Sequence, residues 1–166
     1  MQGFILQPTY RIERGRAIVH LFGRLEDGRT FLVRDGRARP AFWIRASDAA
    51  RATRLGAEPA PTVDRVAMEG AALVRIELAV PGDAPPLRDR LGRAGIETFE
   101  ADVRYATRYL VDRGIRGSVQ IEGDEVAGAG VDALFDDPDV LPGDWTPALT
   151  VLSIDIETDP RAQRIL

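Results

Sequence analysis

Two acidic residues near the end of the chain form the pattern with the clearest chemistry. Asp155 and Glu157 follow an apolar, β-rich run at 148–154. Residues two apart in a strand point to the same side, so the two carboxylates are expected to project together. Neighbouring carboxylates repel each other unless a cation lies between them. Two Mg²⁺ or Mn²⁺ ions about 4 Å apart could use such ligands in phosphodiester cleavage. A solvated strand end is the alternative.

The elements that must position these acids begin with a small antiparallel β meander in residues 1–40. Runs rich in β-forming apolar residues predict its three strands at 4–12, 17–25 and 30–33. Turn signals at Gly28 and Gly36 mark the end of the second strand and the end of the third.

Residues 41–101 predict a second unit with the element order β-α-β-β-α-β. Its predicted strands are 41–44, 62–68, 74–80 and 96–99. The two helices are expected to begin at Ser47 and Asp83 as N-caps and to end at Gly56 and Gly95. This order is the split ferredoxin-like motif, which hosts many functions and does not identify one.

The chain then continues with a helix, a strand and a linker. The helix is predicted over 103–113 with Asp102 as its cap and Gly114 as its end, and 118–122 is predicted as an edge strand. Residues 123–147 are rich in Gly, Asp and Pro and are predicted to be a linker to a new domain. The expected fold class is α+β. Its expected divisions are a domain at 1–122 (1–40, 41–101 and 102–122), a linker at 123–147 and the start of another domain at 148–166.

Charge is distributed unevenly along the chain, whose net charge is −4. Residues 1–54 contain 11 Arg and 5 acidic residues, whereas residues 122–160 contain 11 acidic residues and no basic one. Every basic residue is Arg, which can hold a phosphate with two hydrogen bonds. The basic part therefore suits phosphates, although genomic base composition is the simpler explanation of the Arg usage.

Composition excludes several classes of protein. The chain has no Cys, so a disulfide framework and a thiolate metal site are excluded. It has no apolar run of the roughly 20 residues that a membrane-spanning helix needs. Its first ten residues lack the layout of a signal peptide. A cytoplasmic protein without a membrane partner is expected.

Several segments together resemble a known family. In chain order they are Gly3-Phe4-Ile5-Leu6, Tyr10, Leu21-Phe22, Arg39-Pro40, 99–103, 108–114 and Ser153-Ile154-Asp155-Ile156-Glu157-Thr158. These segments are similar to family B DNA polymerases over nearly the whole chain, and the last resembles the first exonuclease motif of that family. Residues 100–104 and 119–124 are most similar to the bacterial polymerase II branch.

The resemblance implies the amino-terminal region of a DNA-directed DNA polymerase with a 3′–5′ proofreading exonuclease. Residues 148–166 would begin a ribonuclease-H-like exonuclease domain. Asp155 and Glu157 match the two carboxylates that hold two Mg²⁺ or Mn²⁺ ions in that domain. The implied partners are primer-template DNA, single-stranded DNA and the remaining domains of the same chain. The implied location is the bacterial nucleoid in the cytoplasm.

The resemblance also implies a contact with template DNA. In archaeal relatives this region has a pocket that grips a template uracil, and Tyr10, Pro40, Ala84 and Tyr105 fall at its positions. Ala84 is smaller than the expected Val and Tyr105 replaces a Phe, so uracil sensing is not expected. Ordinary packing is the alternative role for all four residues.

Two neighbours of Tyr105 are further candidates for nucleic-acid binding. Arg108 could bind a phosphate, and Tyr109 could stack on a base together with Tyr105. The alternative is that the helix docks on the next domain. His20, Trp43 and Trp145 are expected to be packing residues, and His20 is expected to have its hydrogen bonds satisfied.

The chain ends nine residues after Glu157, without the further exonuclease carboxylates or the polymerase palm motifs. Neither polymerase nor exonuclease activity is therefore expected of these residues alone. A stand-alone module that binds single-stranded nucleic acid and a structural or regulatory domain are the alternatives. The first should bind DNA with strong salt dependence, and the second should not bind it.

Overall fold

The computed structural model describes residues 1–128, 130–155, 158–159 and 164–165. Its strands are β1 (Gln2–Glu13), β2 (Arg16–Leu25), β3 (Thr30–Asp35), β4 (Ala41–Arg45), β5 (Pro59–Val66), β6 (Ala72–Glu77), β7 (Thr98–Phe99), β8 (Ser118–Glu122), β9 (Glu125–Val126), β10 (Ala133–Asp136), β11 (Asp139–Pro142), β12 (Thr158–Asp159) and β13 (Arg164–Ile165). Its helices are α1 (Ala49–Thr53), α2 (Ala84–Arg93) and α3 (Tyr105–Asp112). The class is mixed α+β, as predicted. No helix in these described segments is long and apolar enough to cross a membrane.

The predicted β meander forms the centre of the first sheet. β1, β2 and β3 pair antiparallel with their chain neighbours. The turn between β1 and β2 consists of Arg14 and Gly15, both at positive φ (50° and 76°), as a tight two-residue hairpin requires. Alternate residues of β2 and β3, including Val19, Leu21 and Val33, are completely buried. The buried residues of these strands therefore follow the period of two that is typical of a strand.

Gly23 allows β2 to lie close to its neighbours. A Cβ atom at this position would lie 2.1 Å from the carbonyl oxygen of Phe4 and 2.5 Å from the ring of Phe31. Phe31 is completely buried. A side chain at position 23 would thus displace either the backbone of β1 or a central core ring.

His20 is buried as predicted, but its hydrogen bonding is not satisfied. Only 5 % of the residue is exposed, and neither ring nitrogen has a hydrogen-bond partner among the described residues. Glu13 Oε1 lies 3.9 Å from Nε2. Burial, followed by the charges of Arg34 and Arg11, lowers the pKa of His20, so the neutral ring is favoured.

The stretch predicted as a linker is part of the first sheet. Within the described residues, the spatial order of this seven-stranded sheet is β11-β8-β1-β2-β3-β10-β9. β10 pairs parallel with β3, and β11 pairs antiparallel with β8. The linker prediction for 123–147 is therefore wrong, and so is the prediction that β8 is an edge strand. The Gly, Asp and Pro residues lie between very short strands. The apolar residues of these strands, Ala133, Phe135 and Val140, are buried in the core of the sheet.

The second sheet has the spatial order β5-β6-β4-β7, and its neighbouring strands are antiparallel. α1 and α2 pack against it around a separate core that includes Phe42, Ile76 and Leu91. From β4 to β7 the elements follow the predicted order β-α-β-β-α-β. β7 is shorter than predicted, because Ile96 packs in this core and its N–H bonds the Leu91 carbonyl (3.0 Å) at the end of α2.

The predicted C-terminal ends of the helices agree with the structure better than the predicted N-terminal ends do. Gly56, Gly95 and Gly114 follow the three helices at positive φ of 82°, 70° and 67°, as predicted. Ser47 does not cap α1, because a 3₁₀ turn at Ala46–Asp48 already begins the helical path. Asp83 occupies the N-cap position of α2 but makes no capping hydrogen bond.

The third helix begins later than predicted. Its N-cap residue is Arg104, and Asp102 is not its cap. Residues 101–103 form a turn in which the N–H of Val103 donates to the Glu100 carbonyl (3.3 Å). Glu100 has a positive φ of 58°. The chain therefore reverses direction here and cannot enter α3 before Tyr105.

The apolar run before the acidic motif forms no strand in the structure. Residues 147–155 have no assigned secondary structure, and Val151, Leu152 and Ile154 are largely exposed. The predicted strand at 148–154 is therefore wrong within this structure. A strand needs a neighbouring edge for its backbone hydrogen bonds, and none of the described strands pairs with this run.

Candidate nucleic-acid interface

Five of the six predicted nucleic-acid-binding residues line one open cavity of about 780 Å³, here called the tyrosine cavity, and Arg108 is one of them. Tyr10 comes from β1, Pro40 precedes β4, Ala84 begins α2 and Tyr105 begins α3. The cavity thus lies where the first sheet meets the second unit. Its volume is within the roughly 300–1,000 Å³ typical of ligand pockets.

Two tyrosines form the aromatic part of this cavity. The rings of Tyr10 and Tyr105 are 5.7 Å apart between centroids and meet edge to face at 70°. The Tyr105 hydroxyl donates a hydrogen bond to the Ala38 carbonyl (2.9 Å). Burial, with the nearby Asp35 charge, raises the pKa of Tyr105 to about 12. Tyr105 is therefore a neutral donor and is fixed in place, whereas Tyr10 is more exposed.

The rest of the cavity combines apolar walls with three arginines and one aspartate. Pro8, Leu78 and Pro81 contribute apolar surface, and Arg88 and Arg104 contribute positive charge. Apolar walls and aromatic rings suit a flat aromatic group, and arginines suit phosphate oxygens. The cavity has the chemistry to hold one base of a nucleic acid next to its backbone.

Arg108 lies in a different environment from the one predicted. Only 3 % of Arg108 is exposed to solvent, and its guanidinium lies 4.8 Å from the centroid of the Trp43 ring. Glu100 Oε2 is 2.6 Å from its Nη2. Arg65 and Arg75 also approach the Trp43 ring, at 4.2 and 5.7 Å. Arg108 therefore joins α3 to the preceding β4 through the Trp43 ring, and this contact is not the predicted alternative of docking on the next domain.

Tyr109 is also a supporting residue and not an exposed stacking surface. It is 2 % exposed, and its hydroxyl donates to Asp35 Oδ2 (2.8 Å). Arg113 lies over its ring at 3.6 Å. Burial and the Asp35 charge raise the pKa of Tyr109. Tyr109 therefore anchors α3 to β3 and fixes the position of Tyr105, one turn earlier in the helix.

The predicted metal ligands are not brought together in the described residues. Asp155 lies in the exposed segment, and Glu157 lies outside the described residues. Within the described part of the chain, no group of three or more His, Asp or Glu side chains could hold a metal ion. Asp155 offers the oxygen that Mg²⁺ prefers but not the number of ligands it requires, so the described residues alone do not form a metal site.

Arg88 is a cavity residue that was not predicted from the sequence. It follows Ala84 by four residues in α2, and both line the tyrosine cavity. Residues four apart lie on one face of a helix, so helical periodicity counted from Ala84 would have found it.

Comparison with known proteins agrees with the fold and the motif. Residues 96–165 match the model of the DNA polymerase family B exonuclease domain. DNA polymerase II of Escherichia coli (strain K12) is 44% identical over 70 residues, which are 42% of this chain and 8% of that protein. The family B DNA polymerase of the hyperthermophilic archaeon Pyrobaculum calidifontis has a TM-score of 0.71 and 27% identity. That match covers 89% of this chain and 21% of the archaeal one.

These similarities show what the chain resembles. The predicted resemblance to the amino-terminal region of family B DNA polymerases is confirmed, and the exonuclease-domain match begins at residue 96. The predicted similarity to bacterial DNA polymerase II is confirmed by the Escherichia coli relative. The chain spans only a small part of the length of either relative.

Proposed function

We propose that this chain corresponds to the amino-terminal region of a DNA-directed DNA polymerase with a 3′–5′ proofreading exonuclease, and that its tyrosine cavity contacts single-stranded template DNA. The observation that carries the proposal is the convergence of Tyr10, Pro40, Ala84 and Tyr105 on one cavity. They come from four separate segments of the chain. The match to family B polymerases supports the same interpretation.

The cavity's chemistry supports a contact with single-stranded DNA. An unpaired base can stack on Tyr10, while Arg88 and Arg104 can bind the phosphates beside it. Such a contact is tolerant of sequence, because every base has a face that can stack. Ala84 and Tyr105 differ from the expected uracil-pocket residues, so we expect a single uracil to leave the affinity unchanged.

The experiment is binding of a fluorescent oligothymidylate to the chain, measured by anisotropy. Tyr10→Ala should weaken binding by about tenfold, because stacking on an aromatic side chain contributes about 1–3 kcal/mol per base. Ile12→Ala is the matched control, since Ile12 is also exposed on β1 but does not line the cavity. Equal affinities of the two variants would overturn the cavity as the contact.

We further propose that Asp155 and Glu157 are metal ligands of the exonuclease in the intact polymerase. The acidic motif and the family match over 96–165 support this assignment. Exposed Val151, Leu152 and Ile154 support packing of this run against other domains of the same chain. In the intact enzyme, Asp155→Ala should abolish proofreading with Mg²⁺ and leave synthesis intact. Loss of both activities would count against the assignment.

Residues 1–166 alone are proposed to lack exonuclease activity, because the described residues do not complete a metal site. Incubation of the chain with primed DNA and Mg²⁺ should leave the DNA intact. Degradation that is abolished by Asp155→Ala would contradict this part of the proposal.

The chain is also proposed to combine a ferredoxin-like unit with the β meander. The element order and antiparallel pairing from β4 to β7 support a ferredoxin-like unit beside the β meander. Residues from 148 onward would begin the ribonuclease-H-like exonuclease domain. A cytoplasmic location at the bacterial nucleoid follows from a function on chromosomal DNA.

A further inference from the structure

A second, smaller cleft shares Tyr105 with the tyrosine cavity. We call it the arginine cleft; its volume is about 220 Å³. Its charged lining residues are Arg37, Arg39, Arg75, Arg108, Arg113, Glu77 and Asp112. Five arginines therefore face two carboxylates across this cleft. Such an excess of guanidinium groups is unexpected unless other carboxylates neutralise them.

The carboxylates around the cleft are already engaged by other groups. Asp112 Oδ1 accepts a hydrogen bond from Arg65 (2.6 Å). Buried Asp35 accepts from the Tyr109 hydroxyl and from the Arg37 N–H, each at 2.8 Å. Arg108 is paired with Glu100 and Arg37 with Asp139. Two of the five arginines thus have carboxylate partners of their own.

The other three arginines are poorly paired. No hydrogen bond or ion pair of the Arg39 side chain is found among the described residues. Arg75 lies 3.4 Å from Glu77 and 3.9 Å from Asp112, and its buried Nε makes no hydrogen bond. Arg113 Nη2 donates one long hydrogen bond of 3.4 Å to Asp35 Oδ2. Close guanidinium–carboxylate pairs are about 2.7–2.9 Å apart, so these arginines keep N–H donors for another acceptor.

The positions of the three arginines favour an acceptor with several oxygens. They come from the segment after β3, from β6 and from the C-cap of α3. Arg113 is held over the Tyr109 ring, and Nη2 of Arg75 bonds the Arg39 carbonyl (3.2 Å). Guanidinium forks held in place lose little side-chain entropy on binding. A tetrahedral phosphate can accept from several such forks, whereas one carboxylate cannot serve all three.

We propose that the arginine cleft binds a phosphate group, with Arg39, Arg75 and Arg113 as its ligands. The source is either a backbone phosphate of DNA or a free phosphate or phosphomonoester. The first source rests on the proposed function, because a strand with a base in the tyrosine cavity would bring its backbone near Tyr105. Phosphate binding itself does not depend on that function and can be measured without DNA.

The first test is thermal unfolding of the chain in inorganic phosphate and in chloride at equal ionic strength. A bound phosphate stabilises the folded state, so the Tm should rise with phosphate concentration. Arg39→Ala should weaken phosphate binding at least about tenfold, the effect of losing one or more hydrogen bonds to a charged group. It should still fold, because Arg39 has no side-chain partner to lose among the described residues.

Arg93→Ala is the matched control, because Arg93 is an exposed arginine of α2 that does not line the arginine cleft. It should bind phosphate like the unchanged chain. Equal phosphate affinity of Arg39→Ala and Arg93→Ala would overturn the proposal, and so would equal unfolding curves in phosphate and chloride.

Competition distinguishes the two sources of the phosphate. An oligothymidylate that displaces phosphate, while its uncharged methylphosphonate analogue does not, would identify the DNA backbone as the source. Phosphate binding that depends on Arg39 but is insensitive to DNA would identify a free phosphate or phosphomonoester. In that case the arginine cleft would still be a phosphate site, even if equal DNA affinities of Tyr10→Ala and Ile12→Ala had overturned the template contact.

Discussion

The tyrosine cavity and the acidic motif differ in how sequence distance relates to structure. The cavity joins Tyr10, Pro40, Ala84 and Tyr105, which are far apart in sequence and form no local pattern. Asp155 and Glu157 are two residues apart and form an obvious pattern, yet Asp155 lies in an exposed segment without secondary structure. The residues that were harder to recognise from the sequence are the ones that the fold has assembled.

A site made of distant residues is held in place by the packing of the elements that carry them, whereas a contiguous motif can lie in a segment without such packing. The cavity is assembled because both flanking units have complete cores, and because α3 is held to them through Tyr109 and Arg108. The apolar run before Asp155 has no sheet to join among the described strands. If substitutions that remove the contacts of α3 do not destabilise the chain, the cavity is no better held than the acidic motif. If removal of Asp155 leaves the free energy of unfolding unchanged, the contrast between the two regions is supported.

The largest effect is expected from Asp35→Ala. Asp35 is completely buried, and its removal leaves the Tyr109 hydroxyl and the Arg37 N–H without their acceptor. The free energy of unfolding should fall by about 3 kcal/mol, as measured by urea denaturation. Asp136→Ala is the control, because Asp136 pairs with Arg34 at the surface and should cost less than about 1 kcal/mol. Similar losses for both variants would show that Asp35 does not support the cavity.

A smaller effect is expected from Tyr105→Phe. The variant loses the hydrogen bond to the Ala38 carbonyl and should be destabilised by about 1 kcal/mol at neutral pH. The pKa of Tyr105 is raised by burial from 10.0 to about 12, so the folded state holds the proton more tightly than the unfolded state. The stability that the Tyr105 proton contributes is therefore fully present below about pH 10 and is lost as the pH rises towards about 12.

Urea denaturation at several alkaline pH values tests this linkage. The loss of stability with rising pH should be smaller in Tyr105→Phe than in the unchanged chain. It should not vanish, because the pKa of Tyr109 is raised by burial in the same direction. Identical pH profiles for the two chains would mean that Tyr105 is not the group that titrates.

The smallest effect is expected from Asp155→Ala in residues 1–166. Asp155 is exposed and lies outside every described strand, so the free energy of unfolding should change by no more than about 0.5 kcal/mol. A loss above about 1 kcal/mol would show that the acidic motif is already held by tertiary contacts, and the contrast with the cavity would fail.

Local features of the fold were predicted well from the sequence. Apolar β-rich runs between turn signals located β1, β2 and β3, and glycines located the ends of all three helices. The starts of the helices were predicted less well, because the 3₁₀ turn at Ala46–Asp48 and the turn at Glu100 are not coded by a single capping residue. These errors of a few residues left the element order intact.

Long-range pairing was the part that could not be predicted. Nothing local indicates that β10 pairs in parallel with β3, about a hundred residues earlier, or that β11 covers β8. Short strands separated by Gly, Asp and Pro have the composition of a linker, and only burial of Phe135 and Val140 in the common core distinguishes them from one.

The amino-acid sequence alone establishes which chemical groups are present, where most strands and helices lie, and which family the chain resembles. These properties depend on short-range periodicity and on motifs that are contiguous in the chain. The roles of the aromatic and basic residues became visible only in the folded chain, where Tyr105, Arg108 and Tyr109 are buried and Tyr10 is the exposed ring of the cavity. The reason is that burial depends on which distant element covers a side chain, and neighbouring residues in the sequence do not encode that choice.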